Sequence, residues 1–265
     1  MLSIKDISLK FGGIAVLDSI SLDVAEGSIH ALIGPNGAGK TSLLNCITGF
    51  YKPTQGSIRY SGNELIGLRP DQVSRVGVSR MFQNIELFPH LTVLSNILVG
   101  CHLHMRYSAL EAAFRFGRML KEELFHLEVA EEIIEFLDLE AVRHKKVADL
   151  AYGMQKKVEL GRALAMKGRL LLLDEPFSGL NVEEKQDIAR YLIETWQERK
   201  ITLFLIDHDV QAVADIAGRI SVLDYGRKIA DGSPEEVLSD PRVIAAYLGS
   251  AEKSPAQPAR EEAKR

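Results

Sequence analysis

Two short stretches carry residue types that do chemistry together. In "GPNGAGKTS", residues 34 to 42, a glycine, four further residues, a second glycine, a lysine and a threonine follow the apolar run "HALI" and lead into "SLLNCI". That spacing between an apolar strand pattern and a helical one predicts a phosphate cradle. Its glycines let backbone N–H groups turn inward on a β-phosphate, and the N-terminus of the following helix adds its dipole. Lys40 is expected to reach the β and γ oxygens, and Thr41 to offer a hydroxyl to Mg2+. The candidate nucleotide contacts are therefore Gly34, Pro35, Asn36, Gly37, Ala38, Gly39, Lys40, Thr41 and Ser42. In "LLLLDEP", Asp174 and Glu175 end a run of four leucines. Two carboxylates at the tip of a buried strand are costly without a cation. Asp174 is expected in the Mg2+ shell, and Glu175 is expected to polarise the water that attacks a γ-phosphate.

Such a site needs a strand and a helix to hold each loop. The opening "LSIKDISLKF" alternates apolar and polar residues, turns at Gly12 and Gly13, resumes as "AVLDSISLDV", and turns again before "SIHALI". This predicts an antiparallel edge leading into a buried strand. "KTSLLNCITGF" has helical spacing and ends at Gly49, and "SIRYSGNEL" reads as a further hairpin. From about residue 91 to 143 the text reads as helices with almost no strand pattern. Strand signals return at 169–174, 201–207 and 220–232, with the helix "VEEKQDIARYLIETWQER" between the first two. That alternation implies a largely parallel sheet. "SPEEVLSDPRVIAAYLG" predicts two short helices, and the Ala-, Pro-, Glu- and Lys-rich remainder from Ser250 predicts a disordered tail.

Composition narrows the class. A chain of 265 residues suits one large domain or two small ones, and a net charge of −4 provides no bulk attraction to nucleic acid or anionic lipid. The longest apolar runs are strand-sized, and the first eleven residues have no apolar core of signal length, so neither a spanning helix nor secretion is expected. Cys46 and Cys101 stand far apart without metal-ligand spacing and read as packing residues. His102, His104 and His126 are set aside as solvated or capping histidines, since two histidines two apart on a helix share no face. Lys156 and Lys157 read as a solvated helix face.

Further motifs accompany the first two: Gln83 in "SRMFQNIELF", "LAYGMQKKVELGRAL" from Leu150, "SGLN" from Ser178 to Asn181, and His208 in "LFLIDHD". Together they resemble the nucleotide-binding domains of ABC ATPases. The resemblance implies an α/β P-loop core with a mostly parallel sheet, an antiparallel β subdomain and an inserted α-helical subdomain. One domain would span 1–249, with the β and P-loop core at 1–90 and 166–232, the helical part at about 91–165 and C-terminal helices at 233–249. It implies ATP and Mg2+ as ligands and ATP hydrolysis coupled to transport. Gln83 would sense Mg2+ and the attacking water, His208 would contact the γ-phosphate, and 178–181 would be a dimer-contact loop. Phe11 stands where such proteins place a ring on adenine, although plain packing is an equal reading of that residue. Leu150, Ala151, Tyr152, Gly153 and Met154 occupy the signature stretch, which commonly reads Leu-Ser-Gly-Gly-Gln. The missing serine leaves the Gly153 amide and a helix N-terminus to meet a partner's ATP.

"LAYG", the helical insert and the ending "AYLG" narrow the resemblance to the ATPase subunits of branched-chain amino acid importers. That subfamily implies a homodimer or a heterodimer with a paralogous subunit, integral-membrane permeases, and indirectly a solute-binding protein, at the cytoplasmic face of the membrane, with no nucleic acid. The alternatives are a soluble ABC ATPase of DNA repair or translation, and an importer of urea, amides or aromatic acids.

Overall fold

The computed structural model describes residues 1–102 and 118–251. Its first strands, β1 (Leu2–Phe11) and β2 (Ile14–Val24), form an antiparallel pair, and β4 (Gln55–Tyr60) and β5 (Asn63–Glu64) extend it into a four-stranded sheet of order β2-β1-β4-β5. A second sheet has the order β10 (Arg227–Gly232), β9 (Arg219–Asp224), β3 (Ile29–Ile33), β8 (Thr202–Ile206), β7 (Leu170–Asp174), β6 (Val78–Met81). Within it β3, β7 and β8 are buried at every position. That is the continuous apolar text of strands covered on both faces. β6 and β9 run parallel to them, and β10 returns antiparallel along β9. The strand signal at 220–232 is thus a hairpin, broken where Tyr225 (φ 42°) and Gly226 (φ 74°) take the left-handed backbone of a tight turn.

Pleating divides the core in two. Ala31, Ile33, Leu171, Leu173, Leu203 and Leu205 face the helices on one side, whereas Leu32, Leu170, Leu172, Phe204 and Ile206 face the antiparallel sheet and the helix Lys40–Ile47. Between β6 and β7 the described chain is helical, chiefly Val93–Cys101, Arg118–Phe136 and Tyr152–Ala165. Helix Val93–Cys101 crosses helix Tyr152–Ala165 at Gly100, where a β-carbon would stand 2.2 Å from the Arg162 carbonyl oxygen. Pro234–Leu238 and Pro241–Ala251 form the two short C-terminal helices. Most of the tail expected from Ser250, and His104, lie outside the described residues.

Two surface expectations are corrected. Lys156 is wholly buried rather than solvated. Consecutive helical residues point about 100° apart, so of the two lysines only Lys157 reaches the edge, where it donates to Asp187 at 3.0 Å and Tyr191 at 3.3 Å. His126 is likewise buried, inside a stretch whose neighbours Phe125 and Leu127 are exposed. Cys46 and Cys101 are free and buried in the core.

Candidate nucleotide site

Four parallel strands deliver their carboxyl ends to one edge of the sheet. β3 leads into the glycine loop, β7 ends on Asp174, β8 runs to Asp207 and His208, and β6 runs to Gln83. Open α/β sheets bind ligands at that edge. A cleft of about 290 Å³ opens there, lined by residues 36–42 with Val16, Gln83 and Glu175. Its size suits a phosphate tail better than a whole nucleotide.

Gly34 and Gly39 are glycines for different reasons. A β-carbon at Gly34 (φ 149°) would lie 2.1 Å from the Leu223 carbonyl oxygen, so the loop turns against the β9 backbone. Gly39 (φ 102°) is the N-cap of helix Lys40–Ile47, with left-handed backbone and no side chain to cap the first turn. The amides of that turn therefore keep no side-chain acceptor of their own at the cap. Lys40 lies largely buried and donates to the Gly34 and Pro35 carbonyls at 2.7 and 3.1 Å. Burial lowers its pKa, against the pull of Glu175, Asp174 and Asp207.

Across the cleft, Gln83 Nε2 donates to Glu175 Oε2 at 2.9 Å, and His208 Nδ1 stands 3.6 Å from the same oxygen. Glu175 itself has φ 52°, a left-handed backbone that is rare outside glycine, and its amide is tied to Ile206 O at 2.7 Å. That kink turns the acid out of the strand while Asp174 stays in it, 1% exposed. Asp174 Oδ2 receives Arg80 Nη2 at 2.6 Å, whereas Oδ1 has no hydrogen-bond partner among the described residues. The orphaned Asp174 oxygen and the Thr41 hydroxyl are hard oxygen donors of the kind that Mg2+ takes, although Asp174 itself does not line the cleft.

The structure does not bring every expected residue into the cleft. Residues 150–154 open the helix Tyr152–Ala165, with Ala151 as an N-cap that provides no side-chain acceptor, and they do not line the cleft. The Tyr152 ring packs instead against Gly179 of the 178–181 loop, and Asn181 caps the helix Val182–Arg199 through a capping box with Glu184. Phe11, at the end of β1, is half exposed and meets Tyr51 edge-on at a centroid distance of 5.1 Å. Three residues escaped the sequence reading. Arg80 and Asn45 form the network behind Asp174, Arg80 Nη1 donating to Asn45 Oδ1 at 2.7 Å. Asp207, fully buried, accepts the Phe177, His208 and Asp209 amides at 3.0, 2.7 and 2.9 Å and so locks the loops after β7 and β8 together. The "DHD" after an apolar strand was the one local sign of it.

A glycine loop, a strand-tip acid pair and a parallel sheet that opens at their shared edge define a P-loop nucleotide-hydrolysing protein. The profile of the ABC transporter family matches residues 17–178, and that of the branched-chain amino acid ATP-binding cassette transporter family matches residues 227–253. The chain belongs to the ABC transporter family and is an ATP-binding, ATP-hydrolysing subunit of it. It is 38% identical over 251 residues, 95% of this chain and 98% of the relative, to the high-affinity branched-chain amino acid transport ATP-binding protein BraF of Pseudomonas aeruginosa. It is 36% identical, with the same coverage, to LivG of Escherichia coli K12, which carries the same description. A crystal structure of the ADP conformation of an ATP-binding cassette of an ABC transporter superposes with a TM-score of 0.82 at 33% identity, covering 94% of this chain and 98% of the other.

Proposed function

We propose that this subunit powers import of branched-chain amino acids, binding Mg2+ and ATP between the glycine loop of one copy and the Gly153 helix start of another. The carrying observation is the meeting of Lys40, Gln83 and Glu175 around one cleft at the sheet edge. In this reading the loop amides and Lys40 would hold the β- and γ-phosphates, and Asp174, Thr41 and Gln83 would hold Mg2+. Bound there, Mg2+ neutralises charge on the phosphate oxygens. Glu175 accepts the proton of the attacking water, Gln83 orients that water, and His208 donates toward the γ-phosphate. Ala151 provides no hydroxyl, so the partner copy's share falls on the Gly153 amide and the helix dipole. Phe11, half exposed at the end of β1, would stack on the adenine.

No helix among the described residues is long and apolar enough to cross a membrane. One feature supports the transport partners. A groove of about 460 Å³ lined by Phe50, Arg80, Phe82, Phe88 and Val99 lies beside the Gln83 segment and offers an apolar seat for a permease element. The relatives' names supply the solute class. Glu175→Gln should retain ATP binding while turnover falls at least 100-fold, because the loss lies in the chemical step; Lys40→Ala should weaken nucleotide binding itself. Undiminished phosphate release from Glu175→Gln would refute the acid's role. Uptake of labelled leucine, isoleucine and valine, against urea and aromatic acids, by vesicles holding the cognate permeases tests the solute.

A further inference from the structure

We propose that Lys156 is a positioning residue for hydrolysis, fixing the Gln83 backbone from the helix that opens at Gly153 so that the Gln83 amide meets Glu175. Its ammonium has no exposed side-chain surface and donates to Gln83 O at 3.1 Å. One turn along the same helix face, Glu159 Oε2 lies 3.9 Å from the Lys156 nitrogen. A turn further, Arg162 Nη1 donates to Glu86 O at 2.5 Å. Positions 156, 159 and 162 repeat at three, so each lies beside the next on the helix surface. They hold both ends of the segment 83–86, which has no regular structure of its own.

At the near end of that segment the Gln83 side chain donates to Glu175 at 2.9 Å. A short path therefore runs from the Gly153 helix through one buried cation and one residue to the acid. Packing alone does not call for a lysine here, since a methionine would fill similar space without the cost of desolvating an ammonium. The surroundings keep the charge in place. Burial lowers the Lys156 pKa, but Glu159, Asp207, Asp174 and Glu175 all pull it upward. The consequence is mechanical: a shift of the Gly153 helix carries the Gln83 carbonyl with it and changes the distance between the amide and the acid.

This inference rests on the reading of Gln83 and Glu175 given above, and its test separates the two. Steady-state hydrolysis of ATP and titration of a fluorescent ADP analogue are measured on the full chain, for Lys156→Met with Glu159→Gln, for Gln83→Ala, and for all three changes together. The Glu159→Gln change leaves no charged carboxylate buried beside the methionine. The first variant should lower kcat about tenfold, as expected of a small misplacement of a reacting group, with KM and ADP affinity within twofold of the parent chain. Added to Gln83→Ala it should lower kcat no further, because both changes break one path. Multiplied losses, or wild-type kcat in the first variant, overturn the role of Lys156. Wild-type kcat in Gln83→Ala overturns the reading of Gln83 itself. Should the methionine variant fail to fold, Lys156→Gln, whose shorter polar side chain cannot reach the carbonyl, replaces it with the same expected kcat loss, and an unchanged kcat there overturns the proposal equally.

Discussion

Arg80→Leu is the change whose cost can be worked most directly from the structure. The guanidinium and the Asp174 carboxylate have side chains 7% and 1% exposed and meet at 2.6 Å. Arg80 also donates to Asn45 and Thr48, at 2.7 and 3.2 Å, and lies over the Phe82 ring at 4.7 Å. Leucine leaves the buried Asp174 carboxylate without its hydrogen-bonded counter-charge. Removing one partner of a buried pair costs about 3–5 kcal/mol. At roughly 2–4 °C per kcal/mol for a chain of this size, the melting temperature should fall by roughly 6–20 °C. Adding Asp174→Asn removes the stranded charge and should recover at least half of the loss. A divalent cation with ADP should recover more stability in Arg80→Leu than in the parent chain, because in the variant it offsets a carboxylate that the guanidinium no longer neutralises. Thermal unfolding reads the first quantity, and urea unfolding with and without cation and nucleotide reads the two recoveries. A loss under about 1 kcal/mol would mean that Asp174 needs no counter-charge, and the account of the acid behind the cleft would be wrong.

Two further tests concern stability. His30 is buried, 2.9 Å from Ser221 Oγ and edge-on to Phe204, and burial holds its pKa at about 4. The unfolded chain takes up that proton near pH 6.5, so the stabilisation is complete above pH 6.5 and is lost as pH falls through 4, by up to about 1.4 kcal/mol per pH unit. His30→Gln should flatten that slope in urea unfolding measured from pH 7 to 4; an unchanged slope excludes His30 as its source. Gly100→Ala should destabilise by about 1–3 kcal/mol in the same assay, since the new methyl meets Arg162 O at 2.2 Å and Ala165 Cβ at 2.9 Å. A gain of stability from better helix propensity would show that the two helices separate freely.

The glycine loop and the strand-tip acids were legible because each is a local arrangement. A short spacing places Gly34 and Gly39 where only glycine fits and sets Lys40 at a helix start, and four leucines in a row declare a strand covered on both faces. The strand β6 was not legible: "VSRM" is four residues long, too short for a period to show. Nor was the partner of Asp174, since Arg80 lies 94 residues away and a contact across that distance leaves no mark on local composition. Lys156 and Lys157 make the division plainest. As text they are the same residue twice, and the helix alone turns one of them from the other. Which of the two meets the core depends on the Gln83 segment packing against that helix, so only the tertiary structure could make one lysine a half-buried charge paired with Asp187 and the other a buried support for the site.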